Sequence, residues 1–128
     1  ILGHMTSAQT LAGAATAEGG QVLMLSPTAS TSQLSGQRDL FFRMAPATTL
    51  QAAALAEYVY TQRGLRTIII LADRSDAAYA LDFGETFASR FSDLGGKTAA
   101  FLTFNSHNEH YLEAVVHQVH AGQADGIL

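Results

Sequence analysis

Along the whole chain, short apolar runs alternate with alanine- and phenylalanine-rich stretches of helical spacing, and the apolar runs stop at polar tips. The clearest run, Thr67-Ile68-Ile69-Ile70-Leu71-Ala72, predicts a strand buried on both faces, because an unbroken apolar run leaves no side for solvent. It ends in Asp73-Arg74-Ser75-Asp76. A second run, Val22-Leu23-Met24-Leu25, predicts a buried strand that enters Ser26-Pro27-Thr28-Ala29-Ser30. Pro27 has no N–H to give a ladder and biases Ser26 toward extended geometry, so pairing is expected to stop there. Further strands are predicted at 40–44 and 98–104, with strand ends at 1–2 and 125–128.

Between the strands lie the helices. An alanine-rich stretch at 10–18 can be capped by Thr6, Ser7 or Thr10 and closes at Gly19-Gly20. A single turn is expected at 32–36. A helix from Thr48 or Thr49 to Arg63 is closed by Gly64. In the stretch 78–94, Phe83, Phe87, Phe91 and Leu94 recur at helical spacing beside the small residues Ala80, Gly84 and Ala88, which is the pattern of a core-facing stripe. A last helix is predicted over 109–121, burying Leu112, Val115, Val116 and Val119.

This alternation predicts an α/β fold, with parallel sheets covered by helices on both faces. Ligands in such folds bind outside the carboxyl ends of the strands. Four polar tips fall there, at 4–7, 26–30, 73–76 and 105–108, so the pattern alone points to a small-molecule site on that edge. The hydroxyls of Ser26, Thr28 and Ser30 can each donate and accept, which suits a small polar ligand and supplies no evident nucleophile.

Composition narrows the classes. The 128 residues are 48% hydrophobic and 14% charged, so the chain is globular and long enough to bury a core. Its seven Lys and Arg residues are scattered, which argues against a nucleic-acid partner. No apolar run approaches the roughly 18 residues of a membrane span. The absence of cysteine excludes disulfides, a thiolate nucleophile and a Cys-based zinc site within the chain. No Gly-x-Ser-x-Gly elbow, P-loop or Gly-x-Gly-x-x-Gly occurs, and no base is placed by sequence against Ser7 or Ser26. The glycine pairs at 19–20 and 95–96 close helices, whereas phosphates bind where helices open. The reading is therefore non-enzymatic, with no cofactor.

Two parts of the chain match sharper chemistries. His110, Glu113, His117 and His120 share one helical face at spacings of three and four, which could hold a metal but reads first as a solvated face, and no metal is assigned. Asp73 at a strand tip has the position of a receiver-domain phosphoacceptor. That chemistry needs a lysine at another strand tip, and the only lysine, Lys97, sits at a strand start.

The series Ile1-Leu2-Gly3-His4-Met5-Thr6-Ser7, Gln21 through Ser30, Phe42-Arg43, Thr67 through Asp73, and Tyr79 resembles type I periplasmic binding proteins of the branched-chain amino acid (Leu/Ile/Val) group. These are the solute receptors of ABC importers. Their pattern is an IG-x-x-x-S strand tip, then G-I-L-x-I-S-P-x-A-T, a strand ending in F-R, and I-A-I-I-x-D before a Y-G helix start. The resemblance implies two Rossmann-like α/β lobes that close on a ligand, only partly present here. Residues 1–45 would be the latter part of the N-terminal lobe and 46–128 the first half of the second, with a hinge crossing near 45–47. The chain would then be an internal fragment, its ends cutting through secondary structure; Gly3-His4-Met5 as a cloning scar is the alternative reading of the start. Open sheet edges make self-association an expectation.

By the same resemblance Ser7 matches the serine that holds the ligand α-carboxylate. Thr28 matches the position whose main chain meets the head group, and Ser30 the hydroxyl two places on. Tyr79 matches the tyrosine that closes over the ligand from the second lobe. Three departures stand out: Ser30 replaces a threonine and keeps the hydroxyl, Ala80 replaces a glycine, and the segment from Asp73 to Tyr79 is longer. The implied acidic partner of an α-ammonium falls beyond Leu128. The function implied is capture of an amino acid or similar small carboxylate, in the periplasm or otherwise outside the cytoplasm, for the membrane permease of an ABC transporter. The alternatives are a ligand-sensing input domain of a membrane receptor and, further off, a receiver-like module.

Overall fold

The computed structural model describes residues 1–108, 115–117, 119 and 123–128. In chain order they form α1 (Ser7–Gly19), β1 (Met24–Ser26), β2 (Phe41–Arg43), α2 (Thr48–Thr61), β3 (Thr67–Asp73), α3 (Ala77–Asp93), β4 (Lys97–Phe104) and β5 (Gly126–Ile127). Single 3-10 turns stand at Ser32–Leu34 and Arg74–Asp76. The strands make two parallel sheets, β1-β2 and β4-β3-β5. Leu2 adds a parallel bridge to Leu25 on the first sheet. The α/β class read from the alternation is the one observed.

The second sheet is built on β3. Ile68, Ile69, Ile70 and Ala72 are all buried, as an unbroken apolar run in a central strand requires. α2 and α3 pack on it through a cluster of Ala52, Ala56, Ile68, Ile70, Phe87 and Phe91. The aromatic stripe of α3 supplies the two largest fully buried side chains, Phe87 and Phe91, stacked at 5.5 Å, with Tyr60 of α2 edge-on to Phe91 at 5.8 Å. Full burial of one such side chain contributes about 1.5–3 kcal/mol. The small-residue row has a physical reason too. A Cβ on Gly84 would lie 2.9 Å from Phe101 Cζ and 3.1 Å from Ile70 Cγ2, so glycine sets how closely α3 approaches the sheet.

Several boundaries differ from the sequence expectation. α1 begins at Ser7, three residues early, because the Thr6 side chain accepts from the Gln9 N–H at 3.3 Å and caps it there. The strand expected at 22–25 runs instead from Met24 to Ser26. The Val22 N–H bonds to Ala17 O and so still belongs to the helix exit, and Leu23 is 54% exposed. Ala47 takes the N-cap position of α2 without a side-chain bond, while Thr48 Oγ1 donates to Ser30 O at 2.6 Å. The helix expected at 109–121 falls largely outside the described residues; 115–117 and 119 are helical.

Candidate functional site

A cleft of about 400 Å³ opens where the tips of the two sheets face each other. Met5, Thr6 and Ser7 line it from the start of α1, and Pro27, Thr28 and Ser30 from the tip of β1. Ala45, Pro46 and Gln51 form the connecting side, and Asp76 and Tyr79 the wall contributed by the start of α3. Ser7, Thr28, Ser30 and Tyr79, the four residues singled out by sequence, therefore border one space. The tip at 105–108 does not reach it. Ser106 instead joins Asp73 and Ser75, tying the end of β4 to the end of β3.

The hydroxyl-rich wall is ordered by its own hydrogen bonds. Ser7, 4% exposed, accepts from the N–H groups of Ser30 at 3.4 Å and Thr31 at 3.3 Å. With its oxygen used as acceptor, its O–H is left to donate. The Thr28 hydroxyl donates to Met5 O and so joins the two tips of the first sheet. Ser26 donates to His4 O at 2.7 Å and accepts from Ala29 N–H at 3.0 Å, so its hydroxyl is engaged within the turn and not offered to the cleft. Among the described residues, the Ser30 hydroxyl and the Thr28 backbone N–H have no hydrogen-bond partner.

Behind this wall stands Arg43, at the end of β2. Its Nη1 donates to Ser30 O at 3.0 Å and to Thr31 O at 2.8 Å, and its other terminal nitrogen reaches the Ser35 hydroxyl. Ser30 O also accepts from Thr48 N at 2.7 Å and Thr48 Oγ1 at 2.6 Å. The loop that presents Ser30 is thus clamped from the side opposite the cleft. Sequence reading marked the Phe42-Arg43 pair but gave Arg43 no role. The signal was available, since a lone arginine at a strand end beside a hydroxyl loop has few other uses for its planar fork.

Tyr79 lies in the first turn of α3, 38% exposed, with its ring 5.7 Å from that of Phe83. The extra length between Asp73 and Tyr79 is taken up by the 3-10 turn at Arg74–Asp76, which leaves Tyr79 on the cleft. Donors from Ser106 and Ser75 hold the Asp73 carboxyl far below the ordinary carboxylate value. Asp76 and Gln51 are cleft residues that sequence reading did not select. Asp76 Oδ1 is buried without a partner among the described residues, and its side chain does not cap α3.

Among the described residues, no lysine, arginine or histidine lines the cleft. Its chemistry is that of hydroxyl and backbone donors with one carboxylate, which can hold a small carboxylate through converging donors and an ammonium through Asp76. Among the described residues no cluster of three His, Asp or Glu could hold a metal. Of the helical face weighed for metal binding, His110, Glu113 and His120 lie outside the described residues.

Comparison with known proteins places this geometry. The sequence model of a family described as periplasmic binding protein matches residues 1–128. Among solved structures, the leucine-binding protein LivK of Thermotoga maritima superposes with a TM-score of 0.91 at 25% identity, covering 99% of this chain and 35% of that one. LivJ of Streptococcus pneumoniae, a branched-chain amino acid transporter substrate-binding protein in complex with isoleucine, gives 0.78 at 22% identity over 98% of this chain and 35% of that one. An ABC transporter substrate-binding protein of Desulfitobacterium hafniense, in complex with Leu, gives 0.76 at 23% over 98% and 37%. The chain thus spans about a third of the length of these structures. No curated protein sequence matches it. With the family model matched from the first residue to the last, the chain belongs to the periplasmic binding protein family.

Proposed function

We propose that the chain forms part of an extracytoplasmic solute-binding protein, non-enzymatic, that captures an amino acid or similar small carboxylate between two lobes and delivers it to an ABC permease. Residues 1–45 belong to the first lobe and 46–128 to the second, with the crossing at 45–47. The observation that carries the reading is the meeting of Ser7, Thr28, Ser30 and Tyr79 on one cleft between the two sheets. Ser7 offers its O–H, Thr28 its N–H and Ser30 its hydroxyl to the ligand head group, and Tyr79 covers it from the other side. Leucine and isoleucine, the ligands named for the solved relatives, are the first candidates. Closure excludes water and strengthens each donor, and opening releases the ligand.

A thermal-shift screen of the intact protein against amino acids and small carboxylates tests this. A ligand at a hundred times its dissociation constant stabilises the protein by about 2.7 kcal/mol. Stabilisation by leucine, isoleucine or another ligand bearing a carboxylate is expected, and a flat response across all of them would remove the proposal.

A further inference from the structure

Ser32 and Asp82 meet outside the cleft lining. Asp82, on α3, accepts from the Ser32 N–H through Oδ2 and from the Ser32 hydroxyl through Oδ1, both at 2.6 Å. Ser32 opens the 3-10 turn that directly follows the Ser30 loop, so its N–H has no partner within that turn and is free for a carboxylate. The two bonds are therefore a two-pronged, charge-assisted contact. Among the described residues they are the only hydrogen bonds that join α3 to the part of the chain before α2. Within this sequence the segment 44–47 joins the two sheets covalently.

Position decides what this contact controls. Ser32 lies two residues past Ser30, and Asp82 lies one helical turn past Tyr79, so the contact joins the two segments that face each other across the cleft. Asp82 has no arginine or lysine partner; the only ion pair among the described residues is Arg90 with Glu57. Water solvates both partners when the sheets move apart, so the contact favours the closed arrangement without blocking opening.

We infer that Asp82 and Ser32 form a clasp that makes when the two lobes close and breaks when they open, setting how long the ligand is retained. Asp82 acts as a positioning residue and touches no ligand. The inference rests on the two-lobe reading above, but its test does not depend on the ligand. Loss of a charge-assisted pair of this kind corresponds to about tenfold in a two-state equilibrium.

Spin labels on Arg38→Cys and Ser89→Cys, both exposed positions in a chain without native cysteine, report the separation of the two units in the intact protein. Distance distributions by pulsed electron spin resonance, with and without leucine, are compared for the parent, Asp82→Asn and Ser32→Pro. Proline removes both Ser32 donors at the first position of a helical turn, where it is tolerated, and Thr31 before it, with ψ at 140°, is clear of the α region that a following proline disfavours. Both variants are expected to lose population from the short separation, to need about tenfold more leucine to reach it and to release leucine faster. The preference between leucine and isoleucine stays unchanged, as does the melting temperature of the open protein. Identical distributions and identical leucine affinity in all three proteins would overturn the clasp. If leucine moves none of them while the variants still lengthen the separation, the clasp stands and the ligand assignment falls.

Discussion

The Ser7 hydroxyl oxygen lies 3.4 Å from the Ser30 N–H that donates to it, so two residues of the cleft wall are first of all partners of each other. Ser7 starts a helix and Ser30 ends a strand-tip loop, and the bond makes one rigid surface of both. On the proposed reading, a ligand carboxylate arriving there would meet donors already oriented, and little side-chain ordering would be left to oppose binding.

Ser7→Ala removes that acceptor and leaves the N–H groups of Ser30 and Thr31 buried without one. A stability loss of about 1–3 kcal/mol is expected. If Ser7 holds the ligand as proposed, leucine affinity should fall at least about tenfold beyond it, since the O–H offered to the carboxylate goes too. Chemical denaturation separates the first effect, and calorimetric titration of the intact protein the second.

Arg43→Lys tests the clamp behind the wall. Lysine keeps the charge but cannot span the carbonyls of Ser30 and Thr31 together with the Ser35 hydroxyl. A loss of about 1–2 kcal/mol in stability is expected, together with weaker ligand binding, although Arg43 does not line the cleft. Equal stability and affinity in the two proteins would show that the loop holds its shape without the fork.

Much of this was legible in the chain itself. The run at 67–72 could only be a central strand, and Phe87 and Phe91 could only be core, because nothing else accommodates that much contiguous apolar surface. The polar tips at 4–7 and 26–30 already pointed to a small-molecule site on one edge, but singling out Ser7, Thr28, Ser30 and Tyr79 took an ordered likeness to a family. The β1 boundary was misjudged because Val22 and Leu23 look like strand, whereas hydrogen bonding to Ala17 keeps the chain in the helix exit. Asp82 was passed over for a different reason. A carboxylate on a helix reads as solvated face until the partner, fifty residues away in sequence, is brought beside it.

Two glycines at helix ends should respond in opposite directions to alanine. At Gly19 an added Cβ meets nothing within 4 Å, and the backbone lies outside the glycine-favouring region. Gly19→Ala should raise stability by about 0.4–1 kcal/mol through the unfolded chain. At Gly96 the same Cβ would overlap the ring of Phe91, which is fully buried between Phe87 and Tyr60 and cannot move aside. Gly96→Ala should cost about 1–3 kcal/mol, read from urea midpoints at constant slope.

The Asp73 tie between β3 and β4 predicts a pH response. Its carboxyl is depressed by donors from Ser106 and Ser75, so the folded state favours the ionised form. Stability from this source is complete above the ordinary value of 3.8 and is lost as pH falls below it toward the folded value. Asp73→Asn should therefore melt lower than the parent at neutral pH, with the gap closing as the solution is acidified below about 3.8. A gap independent of pH would mean that the carboxylate charge contributes nothing to the tie.

Asp76 sets stability against binding. Two effects of opposite sign act on its charge in the unliganded protein. At the N-cap of α3 a carboxylate gains about 0.3–1 kcal/mol from the helix dipole. Against this, Oδ1 is buried with no partner among the described residues, and such a group costs about 1–3 kcal/mol or more when charged. The second effect is larger, so Asp76→Ala should leave the unliganded protein more stable by about 1 kcal/mol. Binding should change the other way. Among the described residues Asp76 is the only charged one on the cleft, and an ammonium beside it would neutralise a carboxylate that no other described residue pairs. Affinity for leucine should then drop while affinity for its 2-hydroxy analogue, which lacks the ammonium, stays the same. Melting curves with and without each ligand read both effects in one experiment, and a loss of stability in the unliganded variant would show that the dipole outweighs the buried oxygen.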